Sequence, residues 1–208
     1  MPDILIATTN SGKIREISLL LSSEIDNLRL FSPKDLNIKI VPKEDGTTFL
    51  ENSTLKSLFY SKQRKDILTL ADDSGLTVDS LNGSPGIRSA RYGGECSNDS
   101  MNIKKLLNDL HGKNNRKAKF VSVLTLAMNG VIINSFKGEV EGEIINEPRG
   151  NNGFGYDPVF YYEPLKKTFA ELSKHEKNQI SHRSKALKKM KEFIISNKDF
   201  LSNSFLIQ

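Results

Sequence analysis

Only one cysteine, Cys96, occurs in the 208 residues, so the chain can form no internal disulfide. A lone thiol suits a reducing cytosol, and nothing near it has the Cys/His spacing of a metal site. Long apolar runs are also missing. No stretch approaches the ~20 residues that a membrane helix needs. The run near the start, Ile4 to Ala7, is short and follows Asp3, so no secretory signal is expected. No internal repeat, linker or low-complexity run divides the chain. The expectation is a cytoplasmic protein with no membrane partner.

The length supports one large domain, or two lobes sharing a core. Hydrophobic content of 37% and aromatic content of 8% are ordinary for a soluble globular protein. The formal charge is +5. Lys113, Arg116, Lys117 and Lys119 form one basic cluster. A second runs from Lys174 to Lys191, where Glu176 is the only acidic residue. Basic clusters attract phosphates of any kind, whether of a nucleic acid or of a small nucleotide.

The chain is organised around Leu70-Ala71-Asp72-Asp73-Ser74-Gly75-Leu76. The apolar run Ile67 to Ala71 reads as a buried strand, and two carboxylates, a hydroxyl and a glycine follow it. Strand interiors disfavour Asp and Gly, so the strand is expected to end there, in a loop. Ligands of open α/β sheets sit at such ends. Neighbouring extended residues point to opposite faces. One aspartate therefore faces the ligand, while the other anchors the loop through backbone hydrogen bonds. The alternative is an ordinary Asp-Ser-Gly turn.

Before it, Asp3 to Ala7 reads as a strand, and a helix follows from about Ser11 to Ser22 with Ile14, Ile17, Leu20 and Leu21 on one face. The intervening Thr8-Thr9-Asn10-Ser11-Gly12-Lys13 presents free N–H groups at a helix N-terminus, a phosphate-binding geometry. It lacks the glycine spacing and following Ser or Thr of a Walker A loop, and a plain helix start capped by Asn10 or Ser11 is the alternative. Leu28 to Phe31 and Ile38 to Val41 are short strand candidates. Thr48 and Glu51 fit a capping box opening a helix to about Arg64. After the Asp-Asp-Ser-Gly loop, Leu76 to Val78 is a short strand. The loop from Gly83 to Gly94 carries Arg88 and Arg91, where glycines allow close approach to a ligand.

A helix from about Asn98 to Leu110 carries a core stripe. Ala118 to Met128 and Val131 to Phe136 form a hairpin around Asn129-Gly130. Glu139, Glu141 and Glu143 alternate onto one solvated face. Arg149 to Pro158 is a shaped loop whose Phe154 and Tyr156 suit either base stacking or a core plug. It precedes a strand from Val159 to Tyr162. Ser173 and Glu176 form a second capping box, and Ser181 caps the last helix. His182 and Arg183 then lie in its first turn, where cations oppose the helix dipole and an anionic ligand would relieve them.

Five of these segments, in order, resemble the inosine/xanthosine triphosphate pyrophosphatase family, whose members remove non-standard purine nucleotides from the cellular pool. They are Ala7 to Lys13, Ala71 to Leu76, Gly83 to Arg91, Gly153 to Pro158, and Ser181-His182-Arg183. The resemblance implies an α/β fold with a long mixed central sheet flanked by helices. It implies one domain over residues 1–208, with two lobes, an active-site groove between them, and a homodimer. The implied activity is Mg²⁺-dependent hydrolysis of dITP, ITP or XTP to the monophosphate and pyrophosphate, with no specific nucleic-acid partner.

Carried over residue by residue, Thr8, Thr9, Asn10, Ser11, Gly12 and Lys13 bind substrate phosphates. Asp73 is the metal-linked carboxylate and general base, and Ser74 touches the substrate. Phe154, Gly155, Tyr156 and Asp157 hold the nucleoside. Lys177, His182 and Arg183 complete the phosphate and base contacts. The family's Glu-Glu-Thr-Gly-like segment reads Lys43-Glu44-Asp45-Gly46 here, with Lys43 in place of its first Glu. Glu44 is the candidate second metal carboxylate. The chemistry agrees: Mg²⁺ takes one or two carboxylates, waters and phosphates. Lysine and arginine would neutralise charge growing on the leaving pyrophosphate. Two rivals stand beside this reading: another nucleotide phosphohydrolase, acting on modified pyrimidines or a different triphosphate, and a nucleotide- or nucleic-acid-binding protein without catalysis. Asp73 argues against the second, since a carboxylate among phosphates repels them unless a metal intervenes.

Overall fold

The computed structural model describes residues 3–22 and 28–197. The expected domain span of 1–208 also takes in residues outside these. Strands β1 (Asp3–Ile6), β2 (Arg29–Phe31), β3 (Leu68–Val78), β4 (Lys117–Met128), β5 (Val131–Ile144), β6 (Phe160–Tyr162) and β7 (Lys167–Thr168) form one mixed sheet. Its order is β2-β1-β3-β4-β5-β6-β7. β1 is parallel to both β2 and β3, and the remaining pairs are antiparallel. The helices are α1 (Ser11–Ser22), α2 (Phe49–Gln63), α3 (Asp99–Asp109), α4 (Lys174–Ile180) and α5 (His182–Ser196). The expected α/β class with a long mixed sheet is the one observed.

Local chemistry accounts for most boundaries. Asn10 Oδ1 accepts from the Lys13 N–H, which settles Asn10 as the cap of α1. Thr48 and Ser181 accept from the N–H groups of Glu51 and Ser184, and the Ser173–Glu176 capping box is complete. Asn129 and Gly130, with φ of 49° and 76°, make the tight turn between β4 and β5.

Three expectations are corrected. Asp72 to Gly75 do not leave the sheet: β3 runs unbroken to Val78, each of these residues paired with β4 between Val121 and Leu124. The ladder and the cations described below outweigh the poor strand propensity of Asp and Gly. Leu76 to Val78 is therefore not a separate strand. Ile38 to Val41 is no strand at all. Among the described residues no strand pairs with it, and Ile40 and Val41 are 66% and 57% exposed. The return strand of the hairpin reaches Ile144, so Glu139, Glu141 and Glu143 lie within β5.

The core is split in a way that positions the site. On one face of β3, Leu68 and Leu70 join a cluster with Ile17 of α1 and Leu187 of α5. Leu76 and Val78, farther along the same face, join a second cluster with Phe120, Phe160 and Phe169. Asp72 and Ser74 fall between the two. Ser122 of β4, paired with Ser74, continues this polar belt, and Gly138 of β5, paired with Ser122, ends it. A Cβ on Gly138 would stand 2.1 Å from the His182 carbonyl oxygen and 2.5 Å from the Ala186 nitrogen. Only glycine lets the start of α5 settle onto the belt. On the opposite face, α2 packs through Tyr60 against Leu5, Ala7 and Ala71. Among the described residues no helix is long and apolar enough to cross a membrane.

Candidate active site

Asp72 lies on the face of α1 and α5 and is fully buried. Its carboxylate meets Lys13 Nζ at 3.2 Å and Arg183 at 3.4 Å. It also accepts from the hydroxyls of Ser122 at 2.7 Å and Ser74 at 3.0 Å. Burial alone would raise the Asp72 carboxyl, but Lys13, Arg183 and the Ser122 hydroxyl hold it far below the usual carboxylate range. Asp72 is thus the aspartate that anchors, and it does so through cationic and hydroxyl side chains rather than through backbone. It draws together one cation from each of two helices.

Asp73 points the other way, towards α2. Lys56 Nζ lies 3.1 Å from Asp73 Oδ1 and 3.1 Å from Glu44 Oε2. Burial is the main reason the Asp73 carboxyl is raised, with Glu44 adding to it and Lys56 opposing it. For Lys56 the balance is reversed: burial opposes the charge, and Asp73 and Glu44 raise it regardless. Asp73 Oδ2 is buried without a hydrogen-bond partner. An orphaned carboxylate oxygen with a second carboxylate across one ammonium fits a hard divalent cation that brings its own waters and takes phosphate oxygens. Among the described residues no group of three or more His, Cys, Asp or Glu side chains that could hold a metal ion occurs.

α4 and α5 supply the remaining charges. Lys177 Nζ donates to Asp157 Oδ2 at 2.5 Å and to Glu16 Oε1 at 2.6 Å. Arg183 is paired with Glu16 as well as with Asp72. Carboxylates therefore already offset the cation in the first turn of α5, which the dipole argument left to an anionic ligand. Burial opposes charge on Lys177, yet Asp157 and Glu16 raise its pKa. Burial, with Arg183 next, pushes the His182 imidazole well below its usual value. It stays neutral, stacks on Phe120 at 4.9 Å, and keeps Nδ1 unpartnered.

The aromatic loop is shaped by glycine and by Asp157. Gly153 and Gly155 have φ of 76° and 62°, and a Cβ on Gly153 would overlap Asp157 Oδ2. That oxygen accepts from the Phe154 N–H at 2.9 Å. The Phe154 ring lies against Gly12, where a Cβ would come within 2.9 Å of it, and Lys177 Nζ stands 5.1 Å from its centroid. Tyr156 is buried in the second cluster, with its hydroxyl donating to the Ser89 carbonyl.

Most of the expected residues converge. Lys13, Ser74, Phe154, Gly155, Tyr156, Asp157, Lys177, His182 and Arg183 line one cavity of about 150 Å³. It adjoins a cleft of about 470 Å³ lined by Thr9, Asn10, Ser11, Gly12, Phe154 and Lys177, among others. Thr8 is buried, its hydroxyl accepting from the Asn10 N–H. Asp73 and Glu44 line neither space and stand together at Lys56. Arg88 and Arg91 line neither as well; the cavity takes Ser89 and Ala90 from their loop. Sequence reasoning passed over Glu16, Lys56 and Asp99. Glu16 could have been found, being three residues after Lys13 and on the same helical face.

The α1 start, the cations of Lys13, Lys177 and Arg183, a neutral imidazole and the Phe154 ring line these adjoining spaces, and together they can hold an anionic ligand with a flat apolar part. Comparisons with known proteins place the chain among relatives. The model of the Ham1 family matches residues 4–193. The dITP/XTP pyrophosphatase of Bacillus licheniformis is 47% identical over 91% of this chain and 96% of its own. That of Clostridium tetani is 45% identical over 92% and 96%. The Ham1 protein structure from Staphylococcus aureus superposes with a TM-score of 0.83 at 42% identity, over 94% of this chain and 99% of its own. That from Coxiella burnetii gives 0.84 at 38%, over 94% and 100%. Sequence and fold agree along more than nine-tenths of its length: the chain belongs to the Ham1 family.

Proposed function

We propose that this chain hydrolyses non-standard purine nucleoside triphosphates, dITP, ITP and XTP, to the monophosphate and pyrophosphate in a Mg²⁺-dependent reaction. The observation that carries the reading is the placement of two chemically different stations on adjacent residues of one strand. Asp72 gathers Lys13 and Arg183 in the cavity, and Asp73 stands with Glu44 on the reverse face. The names borne by the relatives supply the substrate class.

The helix start from Thr8 to Lys13 binds phosphate oxygens through the N–H groups that its own caps leave over, those of Thr9, Ser11 and Gly12, and through the Lys13 ammonium. Phe154 offers its face to the purine. Lys177 and Arg183 neutralise negative charge as it grows on the leaving pyrophosphate. Asp73, its pKa raised by burial, takes a proton from the attacking water. Mg²⁺ bound by Asp73 and Glu44 would supply charge neutralisation of the triphosphate and acidify water. Donors aimed at a 6-oxo group would leave a 6-amino purine facing donor with donor, a basis for rejecting adenine nucleotides. The reading includes two lobes sharing the sheet, the groove between them as the active site, a homodimer, and no specific nucleic-acid partner.

The test is product analysis. Inosine, xanthosine, guanosine and adenosine triphosphates are incubated with the protein, with Mg²⁺ or with chelator, and the products are resolved by ion exchange. Monophosphate and pyrophosphate from the first two alone, with metal alone, is the expected result. Diphosphate and orthophosphate would refute it.

A further inference from the structure

Asp99 and Asn102 lie three residues apart at the start of α3, so they share a helical face. Both line the smaller cavity, and Asp99 lines the larger cleft too. Neither belongs to the cationic set around Asp72 or to the pair formed by Asp73 and Glu44. Each grips a different wall. Asp99 Oδ2 accepts from the Gly155 N–H at 2.7 Å, in the aromatic loop. Asn102 Nδ2 donates to the Ala90 carbonyl at 3.2 Å, in the turn opposite. Its Oδ1 accepts from the Gly93 N–H at 2.7 Å and the Ser97 hydroxyl at 2.8 Å. The two walls are also joined directly, since the Tyr156 hydroxyl donates to the Ser89 carbonyl at 2.8 Å.

These bonds close a triangle of α3, the aromatic loop and the Ser89–Ala90 turn. The side from Asp99 to Gly155 fixes the peptide that follows Phe154. Gly155 has a φ of 62°, a region glycine enters freely, so that peptide needs an external partner to hold one orientation. Asn102 is buried, with both of its polar atoms engaged. Its other two contacts tie Gly93 and Ser97, just beyond the Ser89–Ala90 turn, to the same side chain.

We propose that Asp99 and Asn102 are positioning residues for the nucleoside end of the substrate, clamping the two cavity walls so that the Phe154 ring is preset to receive a purine. The inference rests on the nucleotide reading above. Every bond of the clamp joins two protein groups, so it can be tested in the free protein.

The experiment compares the full chain with Asp99→Ala, Asp99→Asn and Asn102→Asp. Amide hydrogen exchange is measured on the free protein, and KM and kcat are measured with inosine triphosphate. Asn at 99 keeps an acceptor, and Asp at 102 keeps the Oδ1 that accepts from Gly93 and Ser97 while losing the donor to Ala90. Asp99→Ala is expected to speed exchange at residues 153–157 about tenfold and raise KM about three- to tenfold with kcat nearly unchanged, the scale of one lost hydrogen bond. Asp99→Asn should stay near the unsubstituted protein in both. Asn102→Asp should raise KM similarly, without faster exchange in the remainder of α3. Unchanged exchange at 153–157 in Asp99→Ala overturns the clamp, as does equal loss in the Ala and Asn variants, which would mark a role for the charge itself. If the unsubstituted protein turns over no purine triphosphate, the nucleotide reading fails, and the exchange data still decide whether the clamp exists.

Discussion

Asp72 and Asp73 share a peptide bond and face opposite ways: Asp72 towards Lys13 and Arg183, Asp73 towards Lys56. Strand alternation imposes this, and it gives two neighbouring carboxylates unlike work. Asp72 is ionised, fully buried and ringed by donors. Asp73 is raised by burial and has an oxygen without a partner.

The two Asn variants should therefore separate. Asp73→Asn is expected to keep the fold and nucleotide binding and to lose turnover by about 10²–10⁴-fold, as removal of a general base does. Asp72→Asn leaves Lys13 and Arg183 buried with less countercharge and should cost about 3 kcal/mol of stability. Denaturant unfolding alongside single-turnover rates distinguishes the two patterns. Retained turnover in Asp73→Asn would sink its assigned role.

His182 sets a pH dependence of stability. Its folded pKa lies well below the ordinary value, chiefly through burial. As pH falls through the unfolded value, near 6.5, the unfolded chain takes a proton that the folded chain refuses. Stability from this group is complete above about pH 6.5 and declines below it, by up to about 1.4 kcal/mol per pH unit. His182→Phe, which keeps a ring to stack on Phe120, should flatten the slope between about pH 6.5 and 5. Urea midpoints of both proteins across that range provide the check, and parallel slopes would refute the assignment.

Two glycines predict unequal damage. A Cβ at Gly138 collides with the backbone of α5, at His182 and Ala186, which cannot swing aside. The nearest atoms to a Cβ at Gly12 belong to the Phe154 ring, from 2.9 Å. Gly138→Ala should cost about 3 kcal/mol or more by lifting the first turn of α5 off the sheet. Gly12→Ala should alter stability little and raise KM by displacing the ring. Thermal melts and steady-state kinetics on both variants would reveal it, and a larger melting loss for Gly12→Ala would contradict the packing argument.

Much of the site was legible because its local signals are strong. Caps at Asn10, Thr48, Ser173 and Ser181 fix where four helices begin. Alternation separated the two aspartates before any fold was in view. What failed needed long-range pairing. Nothing local shows that β4 will pair with Asp72 to Gly75 and carry them as strand. Nor does sequence spacing bring Lys56 to Asp73, or Glu16 to Lys177 across 161 positions. Ile38 to Val41 has strand-like composition, and in the described structure it pairs with no strand.

The segment from Lys43 to Gly46 decides which carboxylate assists Asp73. Glu44 approaches Lys56 beside Asp73, whereas Asp45 is an exposed partner of Lys43 at 3.7 Å. Glu44→Gln should raise the Mg²⁺ concentration for half-maximal rate about tenfold or more, an effect on the scale seen when a metal site loses support. Saturating Mg²⁺ should then recover part of the rate, because Asp73 remains. Asp45→Asn should leave the Mg²⁺ titration where it was. The reverse pattern would move the second carboxylate to Asp45. An unchanged titration in both variants would leave Asp73 as the sole carboxylate contact and make Glu44 a partner of Lys56 alone.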